Sequence, residues 1–248
     1  MRTWFVLWKK ELASYFFSPM AYVMMMFFLA IMGFSFWLLA VALSQGAEST
    51  SIMTALFGDS IFFWMSMLIV APLLTMRLIA EEKRSGTIET LMTAPVSDVS
   101  VVLAKYFGAL TFFVVMWSPT SFYAWSLMKF APFPSIDLWV MGSSSLGVFL
   151  IGALYLAAGI FASSLTQNQM GAAMICFAVL CLVFLSGFIS YFARTGFIRE
   201  ISAYVSSVQH MGEFSRGVLD TRPLVFYGTA VVGLLFATVK VVESRKWK

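Results

Sequence analysis

The chain has 248 residues, of which 60% are hydrophobic and only 11% are charged, and its net charge is +4. Soluble globular domains carry roughly 25% charged residues, and a soluble fold of this length could not cover so much apolar surface. The composition therefore excludes a soluble fold and predicts an all-α integral membrane protein, with lipid as the solvent for much of its surface.

The N-terminal residues 1–18 predict an amphipathic elbow helix at the inner membrane interface. Apolar side chains recur at i, i+4 spacing, two lysines fall elsewhere on the helix, and Ser18-Pro19 turns the chain into the membrane. Periodicity alone leaves open whether this helix is a simple anchor or also touches a partner protein. Residues 40–42 resemble a signal-peptidase site, but the apolar run before them is too long for a secretory signal, so we expect an uncleaved helix.

Stretches free of charge predict six transmembrane helices, because a span needs about 20 apolar residues. The uncharged stretch 138–193 is too long for one crossing, and a polar turn at 163–169 divides it into two. The two cysteines fall in the second half of this stretch, do not share a helix face and are expected to be packing residues. The predicted spans are 20–44, 60–76, 106–128, 138–161, 170–191 and 223–242.

The distribution of Lys and Arg predicts the orientation of these spans. Eleven of the 16 basic residues lie on the side of the N-terminus, which places both termini in the cytoplasm and the chain in the inner (cytoplasmic) membrane. The positive charge thus reflects topology, and no nucleic-acid partner is expected. No charged residue lies near the centre of a predicted span, which disfavours proton-coupled transport, ion pumping and intramembrane catalysis.

The longest loop on the cytoplasmic side, 79–98, carries the most informative pattern. The charged run 81–84 would extend the second span, Gly86 would end that extension, and Thr87 would cap a short helix that ends before Pro95. Ile88, Leu91 and Met92 would form its apolar face. Such a helix suits docking in another protein's groove, but the pattern alone favours an ordinary interfacial loop. Ser97 or Asp98 would cap the next helix, which becomes the third span.

Two further segments have interpretable patterns. Small residues dominate 142–159 in the fourth span, which permits close helix contacts within the chain, at a subunit interface or along a pathway. In the outer segment 194–222, apolar residues recur at helical spacing and predict an amphipathic helix along the membrane edge. His210, the only histidine, has no nearby ligand partners and is expected to be solvated or interfacial.

Four stretches, in order along nearly the whole chain, carry a family resemblance: 8–12 with 18–23, 75–89, 159–169, and 214–220. The most specific is Glu-Glu-Lys-Arg-Ser-Gly-Thr-Ile-Glu-Thr-Leu at 81–91. Together they resemble permease subunits of ATP-binding cassette (ABC) type-2 exporters, most closely the gliding-motility-associated permeases and their relatives near copper-enzyme maturation systems.

The resemblance implies that 1–248 form one transmembrane domain with functional segments at both faces. The loop 79–98 would be a coupling helix inserted in a groove of the nucleotide-binding subunit, and Glu11 would be a second contact. The residues assigned to ATPase coupling are Glu11, Glu81, Glu82, Gly86, Thr87, Ile88, Glu89, Leu91, Met92 and Pro95. Those assigned to an outer gate in 194–222 are Ile198, Ile201, Val205 and Val208.

The resemblance also implies partners. These are two copies of an ABC ATPase that use ATP and Mg, a second permease subunit that is identical or similar, a periplasmic or membrane accessory protein, and membrane lipid. The chain itself has no G-x-x-x-x-G-K-[ST] phosphate loop, so no enzyme activity and no catalytic, cofactor or metal site is expected in it. The predicted function is ATP-driven export; the alternative is force transmission to a periplasmic partner without transport.

Overall fold

A computed structural model describes residues 2–45, 52–87, 97–130, 137–192, 202 and 204–244. These residues form helices and no strands, and six of the helical segments are long and apolar enough to cross a membrane. The chain is therefore an all-α, multi-pass membrane protein, as the composition predicts.

The described helices run in chain order, with one π-helical turn, Thr54–Gly58, before the second span. They are α1 (Arg2–Phe16), α2 (Pro19–Ser44), α3 (Ile61–Thr75), α4 (Ala80–Arg84), α5 (Asp98–Trp117), α6 (Thr120–Phe130), α7 (Leu138–Leu165), α8 (Gln169–Phe192), α9 (Ser207–Phe214) and α10 (Thr221–Glu243).

The elbow helix α1 buries its aromatic face against α5. Trp8 donates from Nε1 to the Thr111 hydroxyl at 3.3 Å, and the Trp4 ring meets the edge of Phe107 at a centroid distance of 5.9 Å. Tyr15, two turns after Trp8 along α1, stacks on Phe112. The apolar side chains that recur at i, i+4 spacing in α1 thus pack within the chain, against α5.

The centre of the molecule is α7. Within its most apolar stretch 72% of residues are buried, against 22% in each of α2 and α8. The small residues make this possible, because a Cβ added at Gly147, Gly152 or Gly159 would collide with Phe214, Phe113 or Thr75. Of the three roles left open by the sequence, close packing within the chain is the one these three glycines perform.

The third span differs from its predicted bounds. Ser97 caps α5 by accepting from the Ser100 backbone N–H at 3.3 Å, so the helix begins at Asp98, eight residues before the predicted span at 106. This start agrees with the predicted cap at Ser97 or Asp98, and it places Lys105 on the helix. At the other end Pro119 interrupts the helix, because proline lacks the backbone N–H that would continue the ladder, and α6 follows at Thr120.

The short helix α9 packs against the opposite end of α7 from the elbow helix. Ser143 donates to the Phe214 carbonyl at 2.7 Å, and the Ser215 hydroxyl donates to Thr54 of the π-helical turn at 3.1 Å. The expectation that His210 is solvated is wrong, because its side chain is buried between α9 and α10 and bonds to the Tyr227 hydroxyl through Nδ1 at 3.2 Å.

Candidate functional site

A buried lysine joins three helices at the end of the molecule where the elbow helix lies. Lys105 of α5 is only 3% exposed, and its Nζ lies 2.7 Å from Glu82 Oε1 and 3.0 Å from Glu11 Oε1. An isolated buried charge is costly, so a lysine is retained here only because two charge-assisted hydrogen bonds satisfy it. This triad fixes the positions of α1, α4 and α5 relative to one another.

The local sequence explains how the helices come close enough for these bonds. Gly108 follows Lys105 by three residues and faces α1, where a Cβ would lie 3.0 Å from the Glu11 Cβ. Tyr15, one helical turn after Glu11, donates its hydroxyl to the Leu74 carbonyl near the end of α3 at 2.7 Å. Burial, with the Glu11 charge nearby, raises the pKa of this hydroxyl, so it stays protonated and continues to donate.

A second connection attaches the end of α3 to α7. The chain turns between α3 and α4, and the Ser163 hydroxyl accepts from the backbone N–H groups of Ile79 and Ala80 at 3.2 and 3.0 Å. The same hydroxyl donates to the Met76 carbonyl at 3.2 Å. Without Ser163 these backbone groups would be buried without partners, which is costly.

Lys83 strengthens this second connection. Its ammonium group donates to the Ser164 carbonyl, and the side chain is buried. We name the set formed by Glu11, Glu82, Lys83, Lys105 and Ser163 the elbow junction. Its effect is mechanical, since it ties α1, the end of the second span, the third span and the end of the fourth span into one unit.

The predicted coupling loop departs from this junction. Gly86 adopts φ +71°, a left-handed conformation that favours glycine, and α4 ends two residues before it, as the sequence predicts. Glu81 and Thr87 are exposed, and Thr87 bonds to the Ser85 hydroxyl at 2.9 Å. The remaining predicted coupling residues lie outside the described part of the chain: Ile88, Glu89, Leu91, Met92 and Pro95.

The structure brings together some of the predicted coupling residues. Glu11 and Glu82, which are 71 positions apart in the chain, share Lys105, and their side chains are only 12% and 21% exposed. Both carboxylates therefore pair within the chain, whereas Glu81 and Thr87 face outward.

Of the residues predicted for an outer gate, two are described. Val205 and Val208 are half-buried, and Val208 packs beside Gly187 of α8. Ile198 and Ile201 lie outside the described residues. The position of α9 at the far end of α7 places this segment at the opposite end of the molecule from the elbow junction.

Sequence reasoning missed Lys83, Lys105 and Ser163. Lys105 was interpreted as the charge that ends a loop, and Ser163 as part of a polar turn. Complementary charge was the available signal, because Glu11 and Glu82 are acidic residues in segments predicted to adjoin the membrane. In the described part of the chain no cluster of His, Cys, Asp or Glu could hold a metal ion.

These features define a multi-pass membrane protein in which buried polar contacts join several helices at one end. Residues 47–163 match the family model described as ABC-2 family transporter protein. The matched range contains Glu82, Lys83, Lys105 and Ser163. The match covers somewhat less than half of the chain and shows that this part is similar to ABC-2 family transporter proteins. No curated protein matches the chain.

Proposed function

We propose that the chain is the transmembrane permease subunit of an ABC exporter, which couples ATP hydrolysis by a partner ATPase to substrate movement across the membrane. The family match and the six candidate spans support the class of protein. The observation that carries the coupling is the buried Lys105, bonded at once to the elbow helix and to the start of the predicted coupling loop.

The loop 85–96 is held at both ends by this one lysine. Glu82 lies three residues before the loop, and Lys105 lies on the helix that starts directly after it. A displacement of the loop by the ATPase would therefore move α1, α4 and α5 together. Through Lys83 and Ser163 it would also reach α7, the central helix of the molecule. Rigid elements of this kind transmit displacement because packed interiors deform little.

In this proposal the predicted coupling residues fall into two groups. Exposed Glu81, Gly86 and Thr87, with the loop residues that follow, would contact the ATPase. Glu11 and Glu82 would position the loop from inside, since Lys105 occupies their carboxylates.

The partners and orientation follow from the same proposal. Both termini would be cytoplasmic, two ATPase subunits would bind ATP and Mg, and a second permease would complete the core. The most exposed spans, α2 and α8, would face that second permease or the lipid. At the far end, Ile198, Ile201, Val205 and Val208 would form an outer gate.

Site-specific photo-cross-linking tests the loop contact. A photoreactive residue at exposed Thr87 should yield a cross-link to an ATPase subunit in native membranes. The matched control is the same residue at Val218, which is 52% exposed and lies beyond α9 at the other end of the molecule. A cross-link from Thr87 to lipid only, or an equal ATPase cross-link from Val218, would contradict the proposal.

A further inference from the structure

A cavity of about 310 Å³ lies beside the elbow junction, between α1, the start of α2 and the end of α3 with α4. Its volume is at the lower end of the range for small-ligand sites, about 300–1,000 Å³. A ligand in this cavity would contact both the elbow helix and the second span.

The charges that line the cavity are balanced. Three cations, Lys10, Arg77 and Lys105, face three carboxylates, Glu11, Glu81 and Glu82. Lys105 is already paired with Glu11 and Glu82. Among the described residues Lys10, Arg77 and Glu81 form no ion pair, and all three are exposed. The cavity is therefore lined by two cations and one carboxylate that form no ion pair. Such a lining suits a ligand that carries charges of both signs.

One part of the remaining wall is apolar, and the hydroxyl groups of Ser14, Ser18, Ser85 and Thr87 line another part. Met20, Met24, Leu73 and Leu74 line the apolar part, from α2 and α3. At the corner between α1 and α2, Phe17 is 87% exposed and Val23 is 60% exposed, with no part of the described chain covering either. Exposed aromatic and aliphatic side chains beside charged ones are typical of the membrane interface. The ligand that fits both walls is an amphiphile.

We propose that this cavity binds the headgroup of a zwitterionic phospholipid with a primary ammonium group, of the phosphatidylethanolamine type. The phosphate lies toward Lys10 and Arg77, and the ammonium donates to Glu81. The glycerol and first methylenes pack on Met20 and Leu73. A quaternary ammonium cannot donate hydrogen bonds to Glu81, and an anionic glycerol headgroup brings no cation to it, so the site distinguishes three common headgroups. The inference does not require the ATPase, but it uses Glu81, which the proposed function also places at the ATPase contact, so lipid binding is measured on the purified chain alone.

The test is lipid binding to the purified full-length chain in detergent, followed by native mass spectrometry. Phosphatidylethanolamine, phosphatidylcholine, phosphatidylglycerol and inorganic phosphate are titrated separately. We expect phosphatidylethanolamine to bind most tightly and inorganic phosphate not to bind. Lys10→Gln and Arg77→Gln should each weaken phosphatidylethanolamine binding by about tenfold, the effect of losing one charge-assisted hydrogen bond to the phosphate.

Matched controls separate a built site from general attraction of lipid to basic residues. Lys9→Gln and Arg84→Gln remove the same charges from exposed positions near the cavity that do not line it, and they should leave binding unchanged. Glu81→Gln should abolish the preference for phosphatidylethanolamine over phosphatidylcholine, while Glu243→Gln, at the end of α10, should retain it.

Three results would overturn the inference. The first is equal loss of binding in Lys9→Gln and Lys10→Gln, which would indicate surface attraction alone. The second is an unchanged headgroup preference in Glu81→Gln. The third is saturable binding of inorganic phosphate with the same dependence on Lys10 and Arg77, which would indicate a free-anion site instead of a lipid site.

Discussion

At the scale of single residues, the account depends most on Lys105. It is a buried cation with two carboxylate partners, and removal of one member of such a group leaves uncompensated charge in the interior. The triad therefore adds little to the net free energy of unfolding, and its main effect is to fix one arrangement of three helices.

Replacing Lys105 with Met should lower the free energy of unfolding by about 3–5 kcal/mol, because Glu11 and Glu82 would be left side by side without a cation. The triple variant Lys105→Met, Glu11→Gln, Glu82→Gln should recover most of the loss. Denaturation by sodium dodecyl sulfate in mixed micelles measures both. The control, Lys240→Met, breaks an exposed pair with Glu243 and should cost less than about 1 kcal/mol; equal losses in the two single variants would contradict this interpretation.

His210 gives a prediction for pH. Burial lowers its pKa from 6.5 to about 4, and the more distant Asp220 opposes this shift only in part. The groups that surround the imidazole are the Tyr227 hydroxyl and the Phe226 ring of α10. Between pH 6.5 and about 4 the unfolded chain binds a proton that the folded chain does not, so the free energy of unfolding falls as pH falls through that window.

We therefore expect the thermal midpoint of the chain in detergent to drop between pH 6.5 and 5, a range above the usual titration of carboxylates. His210→Gln should remove most of this decrease of the thermal midpoint with pH, and the midpoint at pH 8 should stay nearly unchanged. A slope in the variant as steep as in the unmodified chain would assign the pH dependence to other groups.

At the scale of elements, α7 makes a prediction of its own. A Cβ at Gly152 would overlap the Phe113 ring, so Gly152→Ala should lower the free energy of unfolding by about 1–3 kcal/mol. Gly142 lies on the same helix with nothing within 4 Å of an added Cβ. Gly142→Ala should leave stability unchanged or raise it by up to about 1 kcal/mol. Unfolding in mixed micelles measures the stability of both variants. A larger loss of stability in Gly142→Ala than in Gly152→Ala would contradict the central position of α7 in the packing.

The bounds of the helices show which features of this fold can be predicted from the sequence. The transmembrane helices can be predicted because apolar stretches alternate with charged residues along the chain. Four of them begin within two residues of their predicted bounds: α2, α7, α8 and α10. The cap of α5 at Ser97 is also predicted by the sequence, because a serine there can accept from the first backbone N–H groups of a helix. The burial of Lys105 is not predicted by it. Burial of Lys105 depends on Glu11 and Glu82, which are 94 and 23 residues away, and no local pattern reports such a pairing.

The same reason explains His210. Its environment comes from Tyr227 and Phe226 on the next helix, so a solvated residue was the natural expectation from its neighbours in sequence. By contrast, the prediction that Glu11 and Glu82 are coupling residues rests on family resemblance. The structure joins the two through Lys105, which the resemblance did not assign.

At the scale of the whole molecule, the two ends of α7 differ in construction. At one end Lys83, Lys105 and Ser163 fasten helices together with buried polar contacts. At the other, the short helix α9 lies across α7 and α10. In the proposed permease, the fastened end receives the motion of the ATPase and the α9 end opens to the outside.

The most direct test of the central claim is affinity purification of the tagged chain from native membranes in mild detergent, with identification of the proteins that copurify. We predict an ABC ATPase subunit in equal amount. Leu91→Asp in the coupling loop should lose that subunit, and Leu219→Asp, an exposed position at the other end of the molecule, should retain it. Recovery of the folded, unmodified chain in a complex without any ATPase would contradict the assignment as an ABC permease.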